Sequence, residues 1–161
     1  MTVMLKKGKE RYKIHMYPQY RYLTRVSCQH KNMFKKLLLV FFMGFALNLI
    51  WEFSHSVLYA SYRGGEITNL VLFRAAVWDG VFIAVLVLLA TIFKINKSAV
   101  IIFGGLILAV AIELWALKTG RWVYDVSMPI IPILNIGLTP AIQLALTGYI
   151  AVWYTFRVSR N

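Results

Sequence analysis

Leu37-Leu38-Leu39-Val40-Phe41-Phe42-Met43-Gly44-Phe45-Ala46-Leu47-Asn48-Leu49-Ile50-Trp51-Glu52-Phe53-Ser54-His55-Ser56-Val57-Leu58-Tyr59 holds no Lys or Arg. About 20 helical residues of this apolarity cross a hydrocarbon core. Within the run, Asn48, Glu52, His55 and Tyr59 recur at spacings of four, three and four. At about 100° per residue they form one stripe on a helix, facing a single neighbour or cavity. A membrane-crossing helix with one polar stripe predicts an all-α integral membrane bundle whose polar groups turn inward.

Three further runs extend the pattern, over 70–93, 99–117 and 140–156, so that with 37–59 four transmembrane helices are expected. The whole chain of 161 residues is 60% hydrophobic and only 15% charged, with a mean hydropathy of +0.65. Such a composition excludes a disordered or collagen-like chain, and the single cysteine, Cys28, excludes a disulfide-stapled mini-protein. A soluble bundle would need polar outer faces at helical spacing, and these are missing. The net charge of +12 first suggests nucleic acid. Basic and apolar stretches are segregated, however, so no specific nucleic-acid binding is expected and the partner is the lipid bilayer. Residues 1–32 read as a basic, disordered cytoplasmic tail carrying Tyr12, Tyr17, Tyr20 and Tyr22, and 33–161 as the membrane domain. Met33-Phe34-Lys35-Lys36-Leu37 also reads as an internal start ahead of the first helix. No secretory signal peptide is evident.

Lys and Arg set the expected orientation. Fourteen of the 18 flank one side: ten before the first helix, then Lys94, Lys97, Arg157 and Arg160. Arg63, Arg74, Lys118 and Arg121 lie on the other. Both termini are therefore expected in the cytoplasm of a multi-pass plasma-membrane protein.

Ionisable groups inside membrane helices are costly, and each marks a candidate site. Glu52 and His55 lie on the first helix, Asp79 on the second, Glu113 on the third and Gln143 on the fourth. Counted along alternating helices, Glu52 and Asp79 fall roughly 10–15 Å below the outer boundary, and Glu113 and Gln143 roughly 5–10 Å. The expected pocket is thus one carboxylate/His site in the outer half of the bilayer. Glu52, His55, Asp79 and Glu113 are the candidate acids, bases or ligands; Asn48, Trp51, Tyr59, Arg121, Trp122, Tyr124 and Gln143 are candidate substrate contacts. Glu52-x-x-His55 has the spacing of helical carboxylate metal sites, so Glu52, His55, Asp79 and Glu113 could hold one divalent metal such as Zn, Mn or Fe. A membrane-embedded enzyme on a lipophilic substrate, a proton- or cation-coupled carrier or assembly factor, and interhelical hydrogen bonding without ligand all fit this pattern. Nothing supports a nucleophilic serine, since Ser54 and Ser56 are expected to bond backbone carbonyls. Gly105, Ala109, Glu113, Ala116 and Gly120 form a small-residue stripe against which another helix, or a second copy in a homo-oligomer, can pack.

Between the third and fourth helices, Gly120-Arg121-Trp122-Val123-Tyr124-Asp125 belongs at a headgroup interface. The stretch from Met128-Pro129 to Leu138 is apolar, but prolines break it, so it should cover the helix ends. Thr139-Pro140 is expected as N-cap and first residue of the fourth helix. Asn48 through Tyr59, together with Gly120-Arg121-Trp122 through Met128-Pro129 to Ile136-Gly137-Leu138-Thr139-Pro140-Ala141-Ile142-Gln143, resembles a family of small, uncharacterised prokaryotic four-helix integral membrane proteins. The resemblance runs from about Met33 to Val158 and implies the fold and the choice of site residues, not a reaction. The mixture of acidic and aromatic residues near proline is also loosely similar to lycopene cyclase-like enzymes, though their Pro-x-Glu-Glu element is absent here.

Overall fold

The structure is a computed structural model describing residues 2–7, 10–15 and 18–158, with side chains over 32–157. It divides into two units, Met1–Lys35 and Lys36–Asn161. In the first unit, β1 (Thr2–Lys7) pairs antiparallel with β2 (Glu10–His15), placing Val3 opposite Ile14 and Leu5 opposite Tyr12. The helix α1 runs from Pro18 to His55. The sequence predicts no element before residue 33 by helical periodicity, whereas Val3-x-Leu5 and Tyr12-x-Ile14 alternate with the period of strands.

From Lys36 onward four helices carry the fold. After α1 the chain makes a 3₁₀ turn (Ser56–Leu58), then β3 (Tyr59–Tyr62), α2 (Asn69–Ile92) and α3 (Lys97–Lys118). Next come β4 (Trp122–Tyr124), β5 (Ile130–Ile131), β6 (Ile136–Gly137) and α4 (Leu138–Val158). Three helices are long and apolar enough to cross a membrane: Asn32–Leu58, Asn69–Ile92 and Lys97–Lys118. Large apolar side chains face outward on all three, among them Ile50, Phe73 and Ile107, as lipid contact requires. The chain is a small polytopic membrane protein. The fourth expected span, α4, has 21 residues but falls short in apolarity, because Gln143, Thr147, Tyr149, Tyr154 and Thr155 lower it.

Helices cross where glycine removes a side chain. A Cβ on Gly80 would lie 3.1 Å from Phe45 N and 3.2 Å from Phe41 O, which fixes α2 against α1. A Cβ on Gly105 would lie 3.0 Å from the Ala145 backbone, which fixes α3 against α4. The small-residue stripe therefore packs on a helix of the same chain, and its Gly105 end is not free for a second copy. The interior on one side of these crossings is apolar: Val40, Ile83, Val87, Ile101, Leu144 and Val152. Val100–Gly104 runs as a π-helical turn, and α2 approaches α3 through it, packing little against Gly105–Lys118.

On the opposite side short strands replace helix. The first helix stops at His55, so Tyr59 leaves the expected helical stripe and opens β3. It pairs there with Tyr124, and Tyr62 pairs with Trp122. Arg63 and Gly64, both at positive φ, make the turn after β3. Gly120, at φ +64°, ends α3 and lets Arg121 N–H bond Ala116 O at 2.8 Å. The loop before α4 holds a small antiparallel pair, β5 with β6. α4 begins at Leu138, so Thr139 is not its cap; its hydroxyl donates to Met128 Sδ (3.6 Å), which tethers the loop to the helix start.

Candidate functional site

Gln143 on α4 is the hub of the polar interior. Its Nε2 donates towards Glu52 Oε1 (2.8 Å), Asp79 Oδ2 (2.9 Å) and Asn48 Oδ1 (3.1 Å), on two other helices. An amide nitrogen has two hydrogens, so three acceptors are one too many. Thr147, one turn further along α4, also reaches Asn48 Oδ1 (3.1 Å), while its hydroxyl lies 2.8 Å from Gln143 O. Asn48 Nδ2 in turn donates to Gly44 O (2.8 Å). The spacings read from sequence thus do converge: Asn48, Glu52, Asp79 and Gln143 meet from three helices.

Glu113 belongs to a second cluster beside the hub. Tyr124 donates to its Oε1 (2.5 Å) and Tyr59 approaches the same oxygen at 3.4 Å. Both tyrosines sit on the short sheet β3–β4, which explains why the first helix must end before Tyr59. Tyr124 Oη also accepts from Gly137 N–H (2.8 Å), tying the covering loop to Glu113. Burial, with Glu113 next, pushes both phenols well above their ordinary range, so they serve as donors. Asp125 closes the same loop: it accepts from Ser127 N–H and Oγ–H, which hold its carboxyl below the usual range.

His55 Nδ1 lies 2.8 Å from Trp51 O. A carbonyl can only accept, so Nδ1 carries the hydrogen and Nε2 is left as an acceptor. Its ring meets Tyr59 edge-on at 5.4 Å. Ser54 and Ser56 bond Ile50 O and Phe53 O, as expected of hydroxyls in a helix.

A cavity of about 420 Å³ opens against these groups. Glu52, His55, Asp79, Glu113, Tyr59, Arg121, Trp122 and Gln143 line it. Asn48, Trp51 and Tyr124 do not: Asn48 braces Gln143 from behind, Tyr124 braces Glu113, and Trp51 Nε1 is buried without a partner. Sequence reasoning passed over the apolar wall, chiefly Leu72, Ala75, Phe82 and Ile112, and the two tryptophans Trp78 and Trp115. Ala75, Trp78 and Phe82 stand four residues before, one before and three after Asp79, so the helical face of Asp79 would have found most of them.

Of the four candidate metal ligands, Glu52 and Asp79 lie at the Gln143 hub, Glu113 lies with the tyrosines, and His55 bonds Trp51 O. Among the described residues no three His, Cys, Asp or Glu side chains group so as to hold a metal ion. What the arrangement offers is acid–base chemistry: two carboxyls at one amide, a third held by phenols, and an imidazole with a free lone pair. No known protein family, curated protein or solved structure matches the chain.

Proposed function

We propose that the chain is a membrane-embedded enzyme that moves protons on a lipophilic substrate, with Glu52 and Asp79 as the acid–base pair. One observation carries this: the carboxyls line a cavity of about 420 Å³ instead of being packed over. Hydrogen bonds that only join helices need no such space, and close packing would fill it. The Gln143 amide orients the pair, and in this reading one carboxyl holds the proton that the other lacks. His55 Nε2 or Glu113 is placed to take a proton elsewhere on the same molecule. One proton given and one taken leaves composition unchanged, so the reaction is an isomerisation or cyclisation.

His55, Arg121, Trp122 and Pro140 line the same cavity beside Glu52 and Gln143, so the acid–base pair faces a compartment with both polar and apolar walls. A carrier is disfavoured by the apolar interior on the far side of the hub. Beyond Thr147 the sole buried polar side chain there, among the described residues, is Thr155, and its hydroxyl has no partner. A proton or cation would find no polar path through it. In this reading α4 also spans the bilayer, both termini are cytoplasmic and the cavity lies in the outer half.

The test compares organic-solvent extracts of cells producing wild type, Glu52→Gln and Asp79→Asn. Wild type alone should shift the ratio of two lipophilic compounds of equal mass. Identical chromatograms across all three, at equal protein levels in the membrane, would sink the proposal.

A further inference from the structure

We infer that the cavity admits its ligand sideways from the bilayer, between α2 and α3, and that this ligand is an amphiphile whose anionic head binds Arg121. The inference rests on the cavity being a site for a lipophilic molecule, and it names the class.

The side opening follows from helix packing. The π-helical turn Val100–Gly104 keeps α3 against α2 at one end, where a Cβ on Gly104 would sit 3.3 Å from Leu86. Towards Glu113 the two helices diverge, and cavity wall comes from both: Leu72, Ala75 and Phe82 on α2, Ile112 on α3. Trp78 and Trp115 line the cavity as well, yet they are 57% and 52% exposed. A side chain that is both cavity wall and outer surface marks a rim, and these two stand on the two helices that part. Inside a membrane that outer surface faces acyl chains.

The head group follows from charge. Among the described residues Arg121 is the one Lys or Arg lining the cavity, whose walls include three carboxyls. None of these pairs with it: Glu113 is engaged by Tyr59 and Tyr124, and Glu52 and Asp79 by Gln143. Its guanidinium instead lies over the Trp115 ring at 4.2 Å. Its backbone is fixed on both sides, N–H to Ala116 O and C=O to Arg63 N–H, each at 2.8 Å. A guanidinium stacked on one ring and, among the described residues, without a carboxylate partner, at the edge of a largely apolar cavity, suits an oxyanion in paired hydrogen bonds. Carboxylate and phosphate share that geometry. With the head there, an apolar chain lies along Leu72, Ala75, Phe82 and Ile112, within the compartment that Glu52 and Asp79 face.

Photolabelling of the purified full chain in detergent tests this. The probes are a long-chain diazirine carboxylic acid, its methyl ester, and the alkyl phosphate of the same chain. The acid, the phosphate or both should label peptides around Trp78 and Ile112 to Trp115 about tenfold more than the ester, the worth of one charge-assisted hydrogen-bond pair. The stronger of the two anions identifies the head as carboxylate or phosphate. Arg121→Gln should bring anion labelling down to the ester level while ester labelling stays, which also reports an intact cavity. Should that variant not fold, the ratio of anion to ester in the wild type decides alone. Equal labelling by ester and anions, or label confined to outward positions such as Phe103 and Ile107, would overturn the inference. Anion-selective labelling without any change in cell extracts would remove the reaction and keep this site; an extract change with no anion preference would do the reverse.

Discussion

Gln143 is the residue on which the interior turns, because its amide nitrogen lies within hydrogen-bond distance of three acceptors on two other helices. Interhelical hydrogen bonds in membranes contribute only about 0.6 kcal/mol each on average, less than a buried unpaired donor or acceptor costs in water-soluble proteins. Gln143→Leu removes the donor and leaves two carboxyls facing each other without it, so the loss should exceed one average bond. The expected destabilisation is about 1–2 kcal/mol in a denaturant titration of the detergent-solubilised protein. Asn48→Ala should cost less, since the Gln143 hydrogens still reach Glu52 and Asp79. Equal stability of Gln143→Leu and wild type would mean that water already satisfies the carboxyls. At this scale the sequence was informative about identity: polar residues are so rare in apolar helices that each of Glu52, Asp79, Glu113 and Gln143 stood out. Partnership was not legible. That Glu113 binds two tyrosines and not the hub depends on a strand pairing whose members are 65 residues apart, Tyr59 with Tyr124.

Elements divide the same way. Helices α2 and α3 lie within two residues of their expected spans, since hydropathy over about 20 residues averages out local error. Their ends do not average: α1 gives way at His55 to a 3₁₀ turn and a strand because Leu58 O and Tyr59 find partners in Asp125 and Tyr124. No local signal encodes that. The α3–α4 crossing is the element contact with least tolerance, and Gly105→Ala measures it. Alanine gains about 0.8–1.0 kcal/mol in helix propensity over glycine. Against this, its Cβ would stand 3.0 Å from Ala145 N and Cα, backbone atoms that cannot rotate away. Overpacking of this kind costs about 1–3 kcal/mol. The net expectation is a loss, read as a lower thermal midpoint in detergent; a higher midpoint would show that α4 can shift at little cost.

For the whole molecule, the question is which end of the helices faces the cytoplasm, since this decides which leaflet supplies the cavity. The two ends differ in kind. At one, Lys36 and Lys97 both lie over the Phe156 ring at 5.2 and 5.3 Å, and Arg157 lies over Trp153 at 4.9 Å. At the other, Arg63 and Arg121 sit among Tyr59, Tyr62, Trp115 and Trp122. Aromatic residues mark either interface, so direction rests on the Lys and Arg of the sequence, ten of them before Leu37, which is the basis for proposing the Phe156 end as cytoplasmic. Three spans alone would put the termini on opposite sides; with α4 as a fourth, both fall on the same side. Single cysteines in a Cys28→Ser background separate these cases. With an impermeant maleimide on intact cells, Glu66→Cys should label at once, and Lys94→Cys only after permeabilisation. Arg160→Cys follows Lys94→Cys if α4 spans, and follows Glu66→Cys if it does not. A reversed pattern for Glu66→Cys and Lys94→Cys would place the gap between Trp78 and Trp115 in the inner leaflet, and the amphiphile drawn to Arg121 would then come from the cytoplasmic side.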